Sequence, residues 1–176
     1  MYATRVSRRV QASPHVVYGA LTDPVAIAAW RVPDGMTARV HRFDAREGGA
    51  FRVSLTYDDD SAPGKSGGRT DTYRGHFARL VPGELVVEVF AFETDDDAVR
   101  CTMTMTTTLT PAGGGTDVEI LHEGIPDDIP RADNELGTRM ALDNLARLVE
   151  GPGAGRPARE EKRGSGNGTD AREMRS

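Results

Sequence analysis

Apolar and polar positions alternate with a period of two over much of the chain, and change to a helical period only near its end. Residues Thr4 to Ala12 place Val6, Arg8 and Val10 on one side and predict a strand with Arg8 facing inward. Ser13-Pro14 predicts a short helix over His15 to Leu21, and Thr22-Asp23-Pro24 a second over Val25 to Ala29 that delivers Trp30. Two strands, Thr37 to Glu47 and Ala50 to Tyr57, follow around a glycine turn at Glu47-Gly48-Gly49, the second with Phe51, Val53, Leu55 and Tyr57 on one face. Four more strands are expected at Thr72 to Val81, Leu85 to Glu93, Val99 to Thr110 and Thr116 to Glu123, joined by short turns that imply antiparallel neighbours. Cys101, Met103, Met105 and Leu109 share one face of the third of these. Val118, Ile120 and His122 share a face of the fourth. Leu85 to Phe92 is apolar in both phases, so its inward face stays open.

From Pro130 to Glu150 the period becomes helical. Ala141, Leu142, Leu145, Leu148 and Val149 form one stripe, opposite Asp143, Arg147 and Glu150. The same stripe runs back through Asn134 and Thr138. The helix is therefore apolar at its C-terminal end and polar and small where it starts, which predicts a helix sealed on a sheet at one end and standing over a partly polar space at the other. Ala132, Leu136 and Met140 form a second apolar patch, either a dimer or partner surface or a face covered by a nearby loop.

Composition narrows the class. A chain of 176 residues with 38% hydrophobic and 28% charged residues suits one soluble domain, here residues 1–150, and no run approaches the roughly 20 apolar residues of a membrane span. The N-terminal MYATRVSRRVQAS lacks an apolar run, so a cytoplasmic location is expected. Residues 151–176 are rich in Gly, Pro and charge and are expected to be disordered. Net charge is −5, and a tail of net +2 leaves a body near −7, a poor nucleic-acid binder. Asp58 to Asp71 reads as a mobile solvated loop. Its triple aspartate lacks the spacing of a calcium loop, and GKSGG lacks that of a phosphate loop. Cys101 stands alone and reads as a small buried hydrophobe, while His15, His41 and His76 are scattered; no metal or cofactor is expected.

Several stretches are familiar: Ala12-Ser13-Pro14 with Val17 and Leu21-Thr22-Asp23-Pro24; Trp30; Asp44-Ala45-Arg46-Glu47-Gly48-Gly49; Tyr73-Arg74-Gly75 with Val81-Pro82; Gly115-Thr116 with His122-Glu123-Gly124; and Gly137 before Ala141-Leu142-Asp143-Asn144-Leu145. Across residues 3 to 150 their order resembles the START/SRPBCC superfamily, in the branch similar to the C-terminal domain of the activator of Hsp90 ATPase. The resemblance implies an α+β helix-grip fold: a curved antiparallel sheet of about seven strands, two short helices after the first strand, and a long C-terminal helix packed on the sheet. Where many such sequences carry tryptophan after the glycine corresponding to Gly137, this chain has Thr138, which predicts a roomier, more polar pocket mouth.

The resemblance further implies a cavity for a hydrophobic or aromatic small molecule. Its expected walls are Trp30, Phe51, Val53, Tyr73, Phe77, Met103, Met105, Ile120, His122, Asn134, Thr138 and Ala141. Trp30 reads as a core plug or a pocket wall, and His122 as a satisfied structural histidine or a polar ligand contact. Two alternatives remain. One is a cyclase- or hydrolase-type enzyme on a polyketide-like substrate, using His122 with Arg8 or Tyr73. The other is a protein-interaction module resembling the chaperone regulator.

Overall fold

A computed structural model describes residues 1–59, 64–98 and 100–151. Alternation and turn chemistry produce seven strands: β1 (Tyr2–Val10), β2 (Met36–Phe43), β3 (Ala50–Tyr57), β4 (Thr70–Val81), β5 (Leu85–Phe92), β6 (Met103–Ala112) and β7 (Gly115–Ile125). They form one antiparallel sheet in the order β1-β7-β6-β5-β4-β3-β2. Between β1 and β2 lie α1 (Pro14–Leu21) and α2 (Pro24–Trp30), and α3 (Arg131–Glu150) closes the chain. The caps are those expected: the Ser13 side chain accepts from the Val16 N–H, and Asp23 accepts from the Val25 N–H. At the β2–β3 turn Gly48 has φ 76°, and a Cβ on Gly49 would lie 2.0 Å from the Asp44 carbonyl oxygen, so neither position takes a side chain without strain.

The helix backbone of α3 closely approaches β1, α1 and α2, and stands away from the middle of the sheet. Its C-terminal half buries Ala141, Leu142, Leu145, Ala146 and Val149 in one core with Val6, Val10, Val17, Leu21 and Ile27. Polar ties hold that end down. Asn144 Nδ2 donates to the Val32 carbonyl at 2.8 Å, and Glu150 accepts from the Gln11 N–H at 2.7 Å. At the N-terminal end the ties lie on the β1 side: Arg131 donates to the Ala3 carbonyl at 2.6 Å, and its guanidinium stacks on Tyr2. The flank over the central strands is left open.

Several expectations are corrected. Arg8 shares the inward face of β1 but is exposed, because at the sheet edge it reaches past the core to pair with Asp143 on α3. Leu148 is 40% exposed, since the stripe is centred on Leu142, Leu145 and Ala146 and Leu148 falls at its margin. The strand β6 begins at Met103, four residues later than the alternation suggested, and β4 begins two residues earlier, at Thr70. Residues 64–69 are not a free solvated loop: the Ser66 hydroxyl accepts from the Thr72 N–H at 2.8 Å, and Lys65 Nζ donates to Asp71 at 2.6 Å. The remainder of that expected loop at 60–63, and the expected tail at 152–176, lie outside the described residues.

Candidate functional site

Between the open flank of α3 and the sheet lies a cavity of about 570 Å³. It is reached by a row of aromatic rings along the inner sheet face. Phe43 packs edge-on to Phe77 at 5.3 Å and Phe77 on Phe51 at 5.2 Å; Phe51 meets Tyr73 at 6.2 Å, Tyr73 meets Phe90 at 5.7 Å, and Phe90 meets the His122 ring at 5.5 Å. The first three rings are close-packed core; from Tyr73 onward the row fronts the cavity. Of the twelve expected walls, Trp30, Tyr73, Met103, Met105, Ile120, His122, Asn134, Thr138 and Ala141 line it. Phe51, Val53 and Phe77 do not: they share the inward face of β3 and β4, but lie where neighbouring apolar side chains fill the space above them.

Trp30 is both plug and wall. Its ring is buried while Nε1 donates to the Ala20 carbonyl at 2.9 Å, which leaves its edge lining the cavity without an unmet donor. Arg31, the residue after α2, turns its side chain into the same space. Its Nη1 donates to Glu88 at 2.7 Å, and its guanidinium sits 5.6 Å from the Tyr73 ring centre. The pair is buried, with side chains only 12% and 5% exposed. Burial works against the arginine charge, but the Glu88 carboxylate beside it, as a charge and as a hydrogen-bond acceptor, holds its pKa above the ordinary value. Glu88 itself lies outside the lining; Lys65 and Asp71, paired with each other, both line the cavity, and Lys65 lies 5.1 Å from the Phe92 ring centre.

Among the described residues, two polar atoms in this cavity wall are buried without a hydrogen-bond partner: the hydroxyl of Tyr73 and Nε2 of His122. Burial raises the Tyr73 pKa despite the opposing Arg31 charge, so its hydroxyl is neutral. The His122 pKa is lowered to about 4, first by burial and then by the Arg31 charge, so its imidazole is neutral at physiological pH. Its tautomer follows from the network behind it. The Thr4 hydroxyl donates to Asn134 Oδ1 at 2.7 Å, turning the amide NH₂ to His122 Nδ1 at 3.1 Å. Nδ1 then accepts, and the ring proton resides on Nε2. The histidine is thus satisfied on its structural side, while Nε2 is buried and unpaired among the described residues.

Thr138 lines the cavity, with its hydroxyl donating to the Asn134 carbonyl at 2.8 Å, so it presents little bulk and no free donor. Leu136 is 54% exposed and, with the half-buried Met140, lines the cavity at its α3 border; Ala132 is exposed and outside the lining. The expected second patch is therefore largely part of the cavity border. Exposed Asp34, Asp128 and Asp133 also border the opening. Sequence reasoning missed Arg31, Glu88, Lys65, Asp71, Phe90 and Phe92. Of these only Glu88, a lone acid in an apolar strand, left a signal. Among the described residues no group of three His, Cys, Asp or Glu is placed to hold a metal ion. Cys101 lies outside the cavity lining, and burial raises its thiol pKa. No described helix is long and apolar enough to cross a membrane.

Comparison with known proteins supplies a family. Residues 11–150 match the family described as activator of Hsp90 ATPase homolog 1-like protein. No curated protein matches the sequence. A crystal structure of a protein from Chromobacterium violaceum is 36% identical, with 85% of this chain and 97% of that chain covered and a TM-score of 0.76. A Rhodobacter sphaeroides protein is 19% identical over 85% and 93% of the two chains, with a TM-score of 0.69. DynU16, a protein in the dynemicin biosynthetic locus, is 20% identical over 84% of this chain and 47% of that one, with a TM-score of 0.60.

Proposed function

Because the chain belongs to the activator of Hsp90 ATPase homolog 1-like family and has the helix-grip fold, we propose that it binds an apolar or aromatic small molecule in the cavity beneath α3. The observation that carries this reading is the cavity itself. Its volume of about 570 Å³ falls within the range of small-molecule sites, and Trp30, Leu55, Phe90, Phe92, Met103, Met105 and Ile120 give it a largely apolar wall, with ion-paired and other polar side chains set among them. The small Thr138 keeps the space beneath the first half of α3 open.

The test uses N-phenyl-1-naphthylamine, an uncharged dye that brightens in apolar surroundings. The wild type is expected to give a saturable signal. Thr138→Trp, which places a large ring over the cavity, is expected to weaken it at least tenfold while the urea midpoint stays within experimental error. A signal that does not saturate, or one unchanged by Thr138→Trp, overturns the reading.

A second reading is an enzyme acting on a polyketide-like substrate. It draws support from Tyr73 and His122 lining one cavity, and from the presence of a protein of this fold, DynU16, in a biosynthetic locus. It ranks below binding because a histidine with a pKa of about 4 is a weak general base near neutrality. Arg8, the other candidate partner, is spent on Asp143 outside the cavity. Protein interaction ranks third, since Leu136 and Met140 border the cavity instead of forming a face apart from it.

A further inference from the structure

The chemistry of the cavity wall narrows the kind of molecule it suits. Tyr73 and His122 are 5% and 6% exposed, so each is more than nine-tenths buried, and each leaves one polar atom without a partner among the described residues. A buried hydroxyl and a buried ring N–H left unmet are costly, and native proteins retain few of them. Their rings flank Phe90, at 5.7 and 5.5 Å, so the two groups belong to one patch of wall with an apolar ring between them. The positive charges of the lining are already taken: Arg31 is held by Glu88 and Lys65 by Asp71. The opening adds only negative charge, from Asp34, Asp128 and Asp133.

Resting on the binding reading above, we propose that the ligand is an uncharged, largely apolar molecule whose carbonyl or hydroxyl oxygen accepts the hydrogen bonds that His122 Nε2–H and the Tyr73 hydroxyl leave unmade. A carboxylate is disfavoured. It would have to displace Glu88 or Asp71 from its cation, or add a further buried negative charge beside them. A hydrocarbon of the same shape fills the space but leaves both donors unsatisfied, and sites built with buried polar groups discriminate against such analogues.

Three compounds of one shape test this on the intact chain by calorimetric titration: 2-acetylnaphthalene, 2-ethylnaphthalene and 2-naphthoate. The ketone is expected to bind about tenfold more tightly than the hydrocarbon, the ratio of a hydrogen bond gained in a dry site, and at least tenfold more tightly than the carboxylate. The ketone-to-hydrocarbon ratio is expected to fall in Tyr73→Phe or in His122→Leu, and to approach one in the double variant. Tyr73→Phe removes a single oxygen, so it reports even if the histidine variant folds poorly. A ketone no tighter than the hydrocarbon, a preference that survives the double variant, or a carboxylate that binds best overturns the proposal. In each of those outcomes at least one compound still binds and the cavity remains a binding site, whereas failure of all three compounds and of the dye removes the binding reading itself.

Discussion

The two halves of α3 meet the rest of the molecule on different terms. From Ala141 onward, the helix lies close against β1, α1 and α2, and Leu142, Leu145 and Ala146 are sealed from solvent. Before Ala141 the same face carries Asn134, Gly137 and Thr138, small or polar residues that stand over a hollow lined in part by the ion-paired side chains of Arg31, Lys65 and Asp71 and by unmet donors. One end gains stability by excluding everything. The other keeps buried groups that find no hydrogen-bond partner among the described residues, a stability cost that the proposed ligand would offset.

The sharpest way to break this contrast is to remove one member of the buried ion pair. Arg31→Met leaves the Glu88 carboxylate buried without its cation and is expected to lower unfolding free energy by about 3–5 kcal/mol in urea titration, whereas the double variant Arg31→Met/Glu88→Leu recovers most of that loss. If the single variant costs under about 1 kcal/mol, the pair is effectively solvated and the cavity is wetter than described. The packed half behaves differently. Leu145→Ala, at a fully buried position, is expected to cost about 3 kcal/mol through lost burial and a residual void, while Thr138→Ala over the cavity costs under about 1 kcal/mol. Equal costs at the two positions would mean that α3 is seated alike along its length.

The contrast was partly legible in the sequence. The apolar stripe of α3 and its polar beginning can be read from period alone, because a helix face is set by spacing within one segment. The strands were equally readable where only one phase was apolar, as in β3. The charged part of the wall was not. In Leu85-Val86-Val87-Glu88-Val89-Phe90 both faces carry large apolar residues, and the usual expectation would send the lone acid outward; the structure turns Val86, Glu88 and Phe90 inward together. What makes that tolerable is Arg31, 57 residues away, and no local pattern announces such a pairing. Lys65 was hidden in the same way, inside a stretch whose Gly, Ser and Asp content reads as solvated loop until Asp71 and Phe92 are brought beside it. The hollow itself is a property of distance between elements, and periodicity carries no distance.

A smaller loss than those of Arg31→Met and Leu145→Ala is expected with pH, and it separates the halves without altering packing. The His122 pKa is lowered from 6.5 to about 4 in the folded chain by burial and by Arg31, while the unfolded chain retains the ordinary value. Between those pH values the unfolded state binds more protons, so this group's contribution is fully present above about pH 6.5, declines as pH falls, and levels off below about pH 4. From pH 7 to pH 4.5 the loss due to His122 amounts to about 2 kcal/mol. The groups around the ring are Arg31, the Asn134 amide and the Phe90 ring, and none of them titrates in this window. Carboxylates elsewhere also respond to acid, so the measurement is a difference: His122→Leu should lose about 2 kcal/mol less than wild type over the same interval in parallel urea titrations. The deficit of Leu145→Ala, by contrast, should be the same at both pH values, because Leu145 lies in the apolar core and the substitution leaves the exposed carboxylates of that half, Asp143 and Glu150, with their partners. If the wild type and His122→Leu show the same pH slope, the imidazole is solvated in the folded chain, and the polar end of the helix does not stand over a dry hollow.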